Sequence, residues 1–159
     1  LDKGRTLLLQ RQNMSEQDRE NFLLEFQESR KDTLVAFCIL GGIFSEGIDL
    51  SGERLIGSII VGTGLPQVCV EQELLKQYFH QQGKDGFAYA YTYPGMNKVL
   101  QAAGRVIRKS SDKGVMLLLD GRFQNQEYRK LFPREWSDCK QLQIKEIKEE
   151  LTKFWNQQE

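Results

Sequence analysis

The chain has 159 residues, of which 40% are hydrophobic and 10% aromatic, enough to build the core of one domain. Lysine plus arginine and aspartate plus glutamate each number 22, so no global field attracts nucleic acid or an anionic membrane. The longest apolar runs fall well short of the roughly 18 residues of a membrane-spanning helix, and no secretory signal pattern opens the chain, which predicts a cytoplasmic protein.

The first part of the chain alternates between strand-like and helix-like patterns. The apolar run at 5–10 (RTLLLQ) indicates a short strand, and Ser15 with Asp18 has the spacing of a capping box that begins a helix. Residues 33–40 (TLVAFCIL) and 54–62 (RLIGSIIVG) are apolar at successive positions, as in strands that helices bury on both faces.

The second part continues the same alternation. Pro66 permits a helix start, and Pro94 begins another helix that is predicted to reach about residue 108. Residues 87–93 (FAYAYTY) fit either a strand or irregular structure, and residues 114–120 (GVMLLLD) indicate another doubly buried strand. The C-terminal segment should form a helix that packs its apolar side on the sheet, with residues at helical spacing: Ile144, Ile147, Leu151, Phe154 and Trp155.

This order predicts an α/β domain with a mostly parallel sheet and helices on both faces. Ligands of such sheets lie beyond the carboxyl ends of the strands, which directs attention to the loop at 41–52 (GGIFSEGIDLSG). Its glycines allow tight turns, and Glu46 and Asp49 offer carboxylates that accept hydrogen bonds. Composition alone favours a plainer interpretation, a strand-to-helix connection with solvated acids.

The predicted helix from 94 to 108 has two distinct sides. At 100° per residue, Gln101, Arg105 and Arg108 share one side, and Gly104 beside them would let another group approach the backbone. Guanidinium groups suit phosphate oxygens and stay charged at any working pH. Spacing alone does not decide between an anion-binding device and a solvated face. The opposite side is apolar, with Met96, Val99, Leu100, Ala103, Val106 and Ile107.

The sequence GGIFSEGIDL followed by QAAGRVIR resembles motifs V and VI of superfamily 2 helicases, in the iron–sulfur branch that includes DinG and the XPD-type repair helicases. The segments IIVGTGLP, DKGVMLLLDGRF and LFPREW look like the second, C-terminal motor domain of that branch, so the likeness covers most of the chain. It implies a RecA-like three-layer domain. The second domain of that branch normally begins with one more strand and helix, so residues 1–159 are expected to lack these and to be a fragment of a longer protein.

The resemblance also implies roles for individual residues. In that family ATP lies between two RecA-like domains, and the first domain holds the P-loop and the Mg²⁺-binding acids. By resemblance, Arg105 and Arg108 would face the triphosphate as arginine fingers, and Gln101 would help to orient the nucleotide and the attacking water. The remaining residues would line the nucleotide (Gly47, Asp49, Gly104), couple the cleft to DNA (Ser45, Glu46) or support the arginines through an ion pair (Asp120, Arg122). A simple turn at the end of a strand explains that last pair equally well.

The expected function is therefore that of the C-terminal motor domain of an ATP-dependent DNA helicase, which couples hydrolysis to movement along single-stranded DNA. Its partners would be that DNA and the first RecA-like domain, which mainly holds ATP and Mg²⁺. The sequence contains no G-x-x-x-x-G-K-[ST] and no acidic box, so the fragment alone is predicted to be inactive. The alternatives are a non-catalytic binding or scaffold module with the same fold, and a translocase or remodeller that does not unwind.

Metal binding is not expected within this chain. The cysteines are odd in number, lie far apart and match no C-x-x-C spacing, which predicts free and mostly buried thiols: Cys38, Cys69 and Cys139. Any iron–sulfur cluster of the complete protein would belong to the other motor domain, where the family carries its cluster-binding cysteines.

Overall fold

The computed structural model describes residues 4–26, 30–46, 50, 54–109 and 111–156, with the side chains of residues 45 and 46 left out. The chain divides into two compact units, Leu1–Arg129 and Lys130–Glu159. The first unit contains all of the described strands.

The first strand pair consists of β1 (Arg5–Leu9) and β2 (Thr33–Phe37), which run parallel and align end to end along their five residues. The connecting helix α1 (Glu16–Leu24) begins at the predicted capping box, which the structure confirms. The backbone N–H of Asp18 donates to the Ser15 hydroxyl, and the Ser15 N–H donates to the Asp18 carboxylate, each at 3.1 Å.

A small aromatic core holds α1 against the chain that follows β2. There, helix α2 (Ile43–Glu46) carries Phe44, whose ring stacks on that of Phe22 from α1 with the centroids 4.3 Å apart. Both side chains are buried together with Leu50. Burial of such rings is a major source of stability in a domain of this size, so α1 and α2 are fixed relative to each other.

The second strand pair is also parallel. Strand β3 (Gly57–Val61) pairs with β4 (Val115–Leu119), and the chain between them is helical: α3 (Val70–Gln81), a π-helix (Ala88–Thr92) and α4 (Tyr93–Ala103). Helix α4 buries Met96 and Val99 almost completely. The structure is thus α/β, as predicted.

The segment FAYAYTY is neither a strand nor irregular, so both predicted alternatives were wrong. Its alternation of large and small residues is typical of a strand, yet its aromatic rings stack on rings one helical turn away or on a ring of the preceding helix. Phe87 stacks on Tyr91, four residues later, at 5.0 Å, and Tyr89 stacks on Phe79 of α3 at 4.2 Å. These contacts explain why the period-2 pattern did not produce a strand.

The prediction that β2 and β3 are buried on both faces was also wrong. Along β1, β2 and β3 every second residue is exposed, including Leu9, Phe37 and Val61, whose exposed fractions are 58%, 60% and 74%. The alternation indicates that one face of each of these strands is covered and that the other is open to solvent within the described residues, whose strands form two separate two-stranded sheets. An apolar sequence does not by itself indicate whether other elements cover one face of a strand or both.

Beyond β4 the chain forms a 3₁₀-helix (Gly121–Gln124) and the short helix α5 (Gln126–Arg129). In the second unit, a 3₁₀-turn (Arg134–Trp136) precedes α6 (Ile144–Asn156), which confirms the predicted C-terminal helix. Ile144, Ile147, Leu151 and Trp155 share one side of α6, and the packing of that side on a sheet stays a prediction. Within the described residues, no helix is both long and apolar enough to cross a membrane.

Candidate functional site

The helix that carries the predicted anion-binding residues ends earlier than its apolar pattern indicates. Helix α4 stops at Ala103, and Gly104 caps it by donating its N–H to the carbonyl of Leu100 at 2.9 Å. The next two N–H groups donate to carbonyls only three residues back, which tightens the chain into a turn. The prediction that the helix reaches residue 108 was wrong: Gly104 keeps a right-handed backbone with a φ of −64°, but glycine is a poor helix former and the hydrogen bonds shift to three residues back from there.

Arg105 and Arg108 therefore lie on a loop, which we call the arginine loop (residues 104–109). Both side chains are half-buried, and each takes part in a further interaction within the chain. Gln101 is exposed on the last turn of α4, and Gly104 is exposed at its end. The shared helical face predicted for Gln101 and the two arginines is absent, since only Gln101 is on the helix.

The far end of the arginine loop is held by Asp112, which sequence reasoning missed. Its Oδ2 accepts hydrogen bonds from the backbone N–H groups of Arg108 and Lys109, both at 2.9 Å, and these bonds lower the pKa of the carboxyl group. An aspartate that accepts from N–H groups three and four residues earlier is a local turn device. The sequence feature that could have indicated this turn is an aspartate that follows the two arginines within a few residues.

The middle of the arginine loop is held by Val106, which is buried against the start of β4. A Cβ atom added at Gly114 would lie far inside van der Waals contact with Val106 Cγ1, and 3.0 Å from the carbonyl oxygen of Ile56. The loop can approach the sheet this closely only because residue 114 has no side chain. Burial of Val106 therefore sets the position of the flanking arginines.

The turn that opens the predicted motif V segment lies against α4. Gly41 has a φ of +77°, and a Cβ there would lie 2.8 Å from Cδ of Lys98, so the alkyl chain of Lys98 crosses the glycine. Lys98, one helical turn before Gln101, is a second residue that sequence reasoning missed. The turn then enters α2, where Ser45 and Glu46 are placed by their backbone alone, whereas Gly47 and Asp49 are outside the described residues.

Asp120 and Arg122 form a two-pronged ion pair at the carboxyl end of β4. Nε of Arg122 lies 2.9 Å from Oδ1 and Nη2 lies 2.7 Å from Oδ2 of Asp120, which also accepts the Arg122 N–H. These interactions lower the pKa of Asp120 to about 2. The geometry of the pair explains the local turn, and its support of the arginine loop stays a prediction.

The donor set suits phosphate better than metal. The side chains of Gln101, Arg105 and Arg108 carry N–H donors of the kind that phosphate oxygens accept. Across the part of the chain that the structure describes, no group of three or more His, Cys, Asp or Glu residues could hold a metal ion. The three cysteines are free and exposed, so the prediction of mostly buried thiols was wrong.

Comparison with known proteins identifies the family. The profile of the helicase C-terminal domain matches residues 1–139. The ATP-dependent DNA helicase DinG of Photobacterium profundum is 33% identical over 130 residues, 74% of this chain and 19% of that protein. The XPD subunit of the general transcription and DNA repair factor IIH of Arabidopsis thaliana is 28% identical over 102 residues, 62% of this chain and 13% of that protein.

These findings confirm the resemblance inferred from the motifs. The chain spans only a small part of both relatives, 19% and 13% of their lengths. Its parallel strand pairs and helices are consistent with the RecA-like C-terminal domain of such helicases. The chain belongs to the helicase C-terminal domain family, of the type found in DinG and XPD.

Proposed function

We propose that this chain is the C-terminal motor domain of an ATP-dependent DNA helicase and that it supplies Arg105 and Arg108 to ATP bound mainly by another domain of the same protein. The observation that supports this proposal is the arginine loop itself. Both arginines are half-buried on a short loop that is anchored by Val106 in its middle and by Asp112 at its end. Hydrogen-bond donors that are held in place before the reaction stabilise the transition state, because they do not have to reorganise as negative charge develops.

The chemical role of the arginines follows from the charge of the reaction. Phosphoryl transfer concentrates negative charge on the γ-phosphoryl oxygens, and an arginine supplied across a joint increases the rate by about 10³- to 10⁵-fold in GTPases. Gln101, exposed on the last turn before the loop, would orient the nucleotide and the attacking water. Gly47, Asp49 and Gly104 would line the nucleotide. Bound Mg²⁺ would neutralise phosphate charge, and the acids that hold it would belong to the other domain.

The same arrangement connects ATP to movement. If the arginines contact phosphate only when the two domains close, then closure requires bound ATP. Hydrolysis would then allow the domains to open again. Ser45 and Glu46, on α2, would transmit this closure to single-stranded DNA. Support comes from the contact of α2 with α4, whose last residue directly precedes the arginine loop. Asp120 and Arg122 would support the loop from the end of β4.

The proposal is tested by replacing each arginine in the complete helicase. Arg105→Ala and Arg108→Ala should each reduce DNA-stimulated ATP hydrolysis by about 10³-fold or more, because the transition-state charge loses its donor. The matched control is Arg129→Ala, which removes an exposed guanidinium of α5 and should leave turnover unchanged. Thermal unfolding of each variant checks that the fold is intact, and near-normal turnover in both arginine variants would contradict the proposal.

The alternative functions give different results in the same protein. A scaffold module would show no DNA-stimulated ATP hydrolysis in the wild-type protein. A translocase or remodeller would hydrolyse ATP but fail to separate a duplex that has a single-stranded tail. Both results would overturn the helicase proposal.

A further inference from the structure

Lys98 is the one charged residue of helix α4, and it has no part in the chemistry proposed above. Between Asp85 and Asp112 the sequence has no acidic residue, so α4 and the arginine loop carry only positive charge. The Lys98 side chain is half-buried, and its ammonium group makes no hydrogen bond or ion pair within the described residues. A half-buried cation of this kind lacks a counter-ion, which an anionic ligand would supply.

The alkyl chain of Lys98 is held in place by its contact with Gly41. Its Cδ, Cε and Cγ atoms lie 2.8, 3.0 and 3.3 Å from the position that a Cβ atom would take on Gly41. The lysine therefore occupies the space that a side chain at residue 41 would need. Contact along three successive carbons restricts the rotamers of Lys98, so less entropy is lost when its ammonium group binds a ligand.

Lys98 lies on the same side of α4 as Gln101. The two residues are three apart in a helix that is regular through both, so their directions differ by only about 60°. Gln101 is the residue proposed to orient the nucleotide, and the arginine loop begins three residues after it. Arg105 follows Lys98 by seven residues, about 10 Å by the rise of a helix. A row of phosphate-binding donors therefore runs along α4 into the arginine loop.

We infer that Lys98 is a third cation of the nucleotide site and binds a phosphate of ATP other than the γ-phosphate that Arg105 and Arg108 face. A lysine ammonium group suits phosphate oxygens as a point charge. The separation of about 10 Å from Arg105 supports the division, because cations so far apart contact different phosphates of one nucleotide. The inference rests on the proposed function, since it adds a contact to the same ATP.

This division separates binding of ATP from its hydrolysis. Negative charge develops on the γ-phosphoryl group in the transition state, so loss of Arg105 or Arg108 lowers kcat. A contact with another phosphate is nearly the same before and during the reaction, so its loss raises KM and changes kcat much less. Lys98 and the two arginines are thus expected to differ in kinetics.

The inference is tested with Lys98→Met in the complete helicase. Methionine keeps an unbranched chain across Gly41 but removes the charge. KM for ATP and the dissociation constant of a fluorescent ATP analogue should each rise by about 10- to 100-fold, as expected for a lost hydrogen bond to a charged group. The change in kcat at saturating ATP should be about 3-fold at most. Native affinity for the analogue would overturn the inference, because Lys98 would then serve only to pack on Gly41.

Three further variants isolate the effect of the charge at residue 98. Lys98→Gln, a second neutral variant, should lose as much affinity as Lys98→Met, and thermal unfolding checks that both are folded. Lys98→Arg keeps the charge and should retain most of the affinity. Lys31→Met removes an exposed ammonium group just before β2 and should leave both constants unchanged. An affinity in Lys98→Arg or Lys31→Met as low as that in Lys98→Met would overturn the inference.

The last measurement separates ATP phosphate from DNA phosphate. Without nucleotide, Lys98→Met and the wild type should bind a labelled oligodeoxythymidine with the same affinity across a series of salt concentrations. A weaker salt dependence in Lys98→Met, with native affinity for the ATP analogue, would assign Lys98 to DNA and overturn the inference. The two proposals fail separately: absent DNA-stimulated ATP hydrolysis in the wild type refutes the motor, whereas native ATP affinity of Lys98→Met in an active motor refutes only the role of Lys98.

Discussion

The positions of Arg105 and Arg108 depend on small residues and backbone contacts nearby. Val106, between the two arginines, is 3% exposed, and the space that it fills exists because residue 114 is a glycine. Asp112 closes the other end through two backbone hydrogen bonds. We therefore expect a substitution at Gly114 or at Asp112 to displace Arg105 and Arg108, although neither substitution alters an arginine.

Gly114→Ala is expected to destabilise the protein and to impair the arginine loop. The new methyl group would overlap Val106 Cγ1 and the carbonyl of Ile56, and overpacking of this kind costs about 1–3 kcal/mol. Urea unfolding should show the lost stability, and DNA-stimulated ATP hydrolysis by the complete protein should fall. Gly121→Ala is the matched control, since a Cβ there meets nothing within 4 Å. Equal stability of the two variants would contradict the assigned packing.

At the scale of single residues, motif VI predicted roles for Gln101, Arg105 and Arg108, and these roles stay a prediction. The same reasoning missed Asp112 and Lys98, because their roles depend on a turn and on a glycine in another element. Periodicity also extended the helix past Gly104, since apolar spacing carries no information on where a helix stops.

At the scale of elements, α3 and the π-helix are joined by a polar link as well as by stacked rings. The hydroxyl of Tyr91 donates to Glu73 Oε1 at 2.7 Å, and Lys76 pairs with the other oxygen of that carboxylate at 2.6 Å. The bond to Glu73 raises the pKa of Tyr91 to about 12, because ionisation removes the proton that the hydroxyl donates and places a second negative charge beside the carboxylate. Gly86 lies against the carbonyl of Lys76, which allows the two helices to approach.

Gly86→Ala is expected to separate α3 from the π-helix. Its methyl group would overlap a backbone carbonyl, which cannot move as a flexible side chain can, so the helices must shift at a cost of about 1–3 kcal/mol or more. Near-ultraviolet circular dichroism should lose part of the signal from the stacked Phe79 and Tyr89 rings. The urea midpoint should fall relative to Gly121→Ala. A native spectrum with a native midpoint would show that the two helices are not packed as described.

At the scale of the whole molecule, two carboxylates of the first unit are held in ion pairs, and one of them also links two strands. Asp32 accepts hydrogen bonds from Arg30 and from Thr6 of β1, which joins the amino ends of β1 and β2, while Asp120 holds the turn after β4. Both carboxyl groups have a pKa of about 2 in the folded protein, against an ordinary value of 3.8. Each is charged and paired at neutral pH.

Stability should therefore decline in acid. A lowered folded pKa stabilises the protein fully above the unfolded value of 3.8, and this contribution disappears as the pH falls to about 2. Urea midpoints measured over a pH series should be steady near neutrality and drop across that window. The double variant Asp32→Asn, Asp120→Asn should be less stable at pH 7 and show a flatter decline. An equally steep decline in the double variant would assign the acid sensitivity to other groups.

Local chemistry in the sequence determined the order of strands and helices, the capping box of α1 and the family, because caps, apolar periodicity and motifs act over a few neighbouring residues. The tertiary structure decided the end of α4, the π-helix in place of a strand and the exposure of one face of the strand pairs. The π-helix and the position of the arginine loop depend on contacts between different segments, such as Phe79 with Tyr89 and Val106 with Gly114, which short-range patterns do not state.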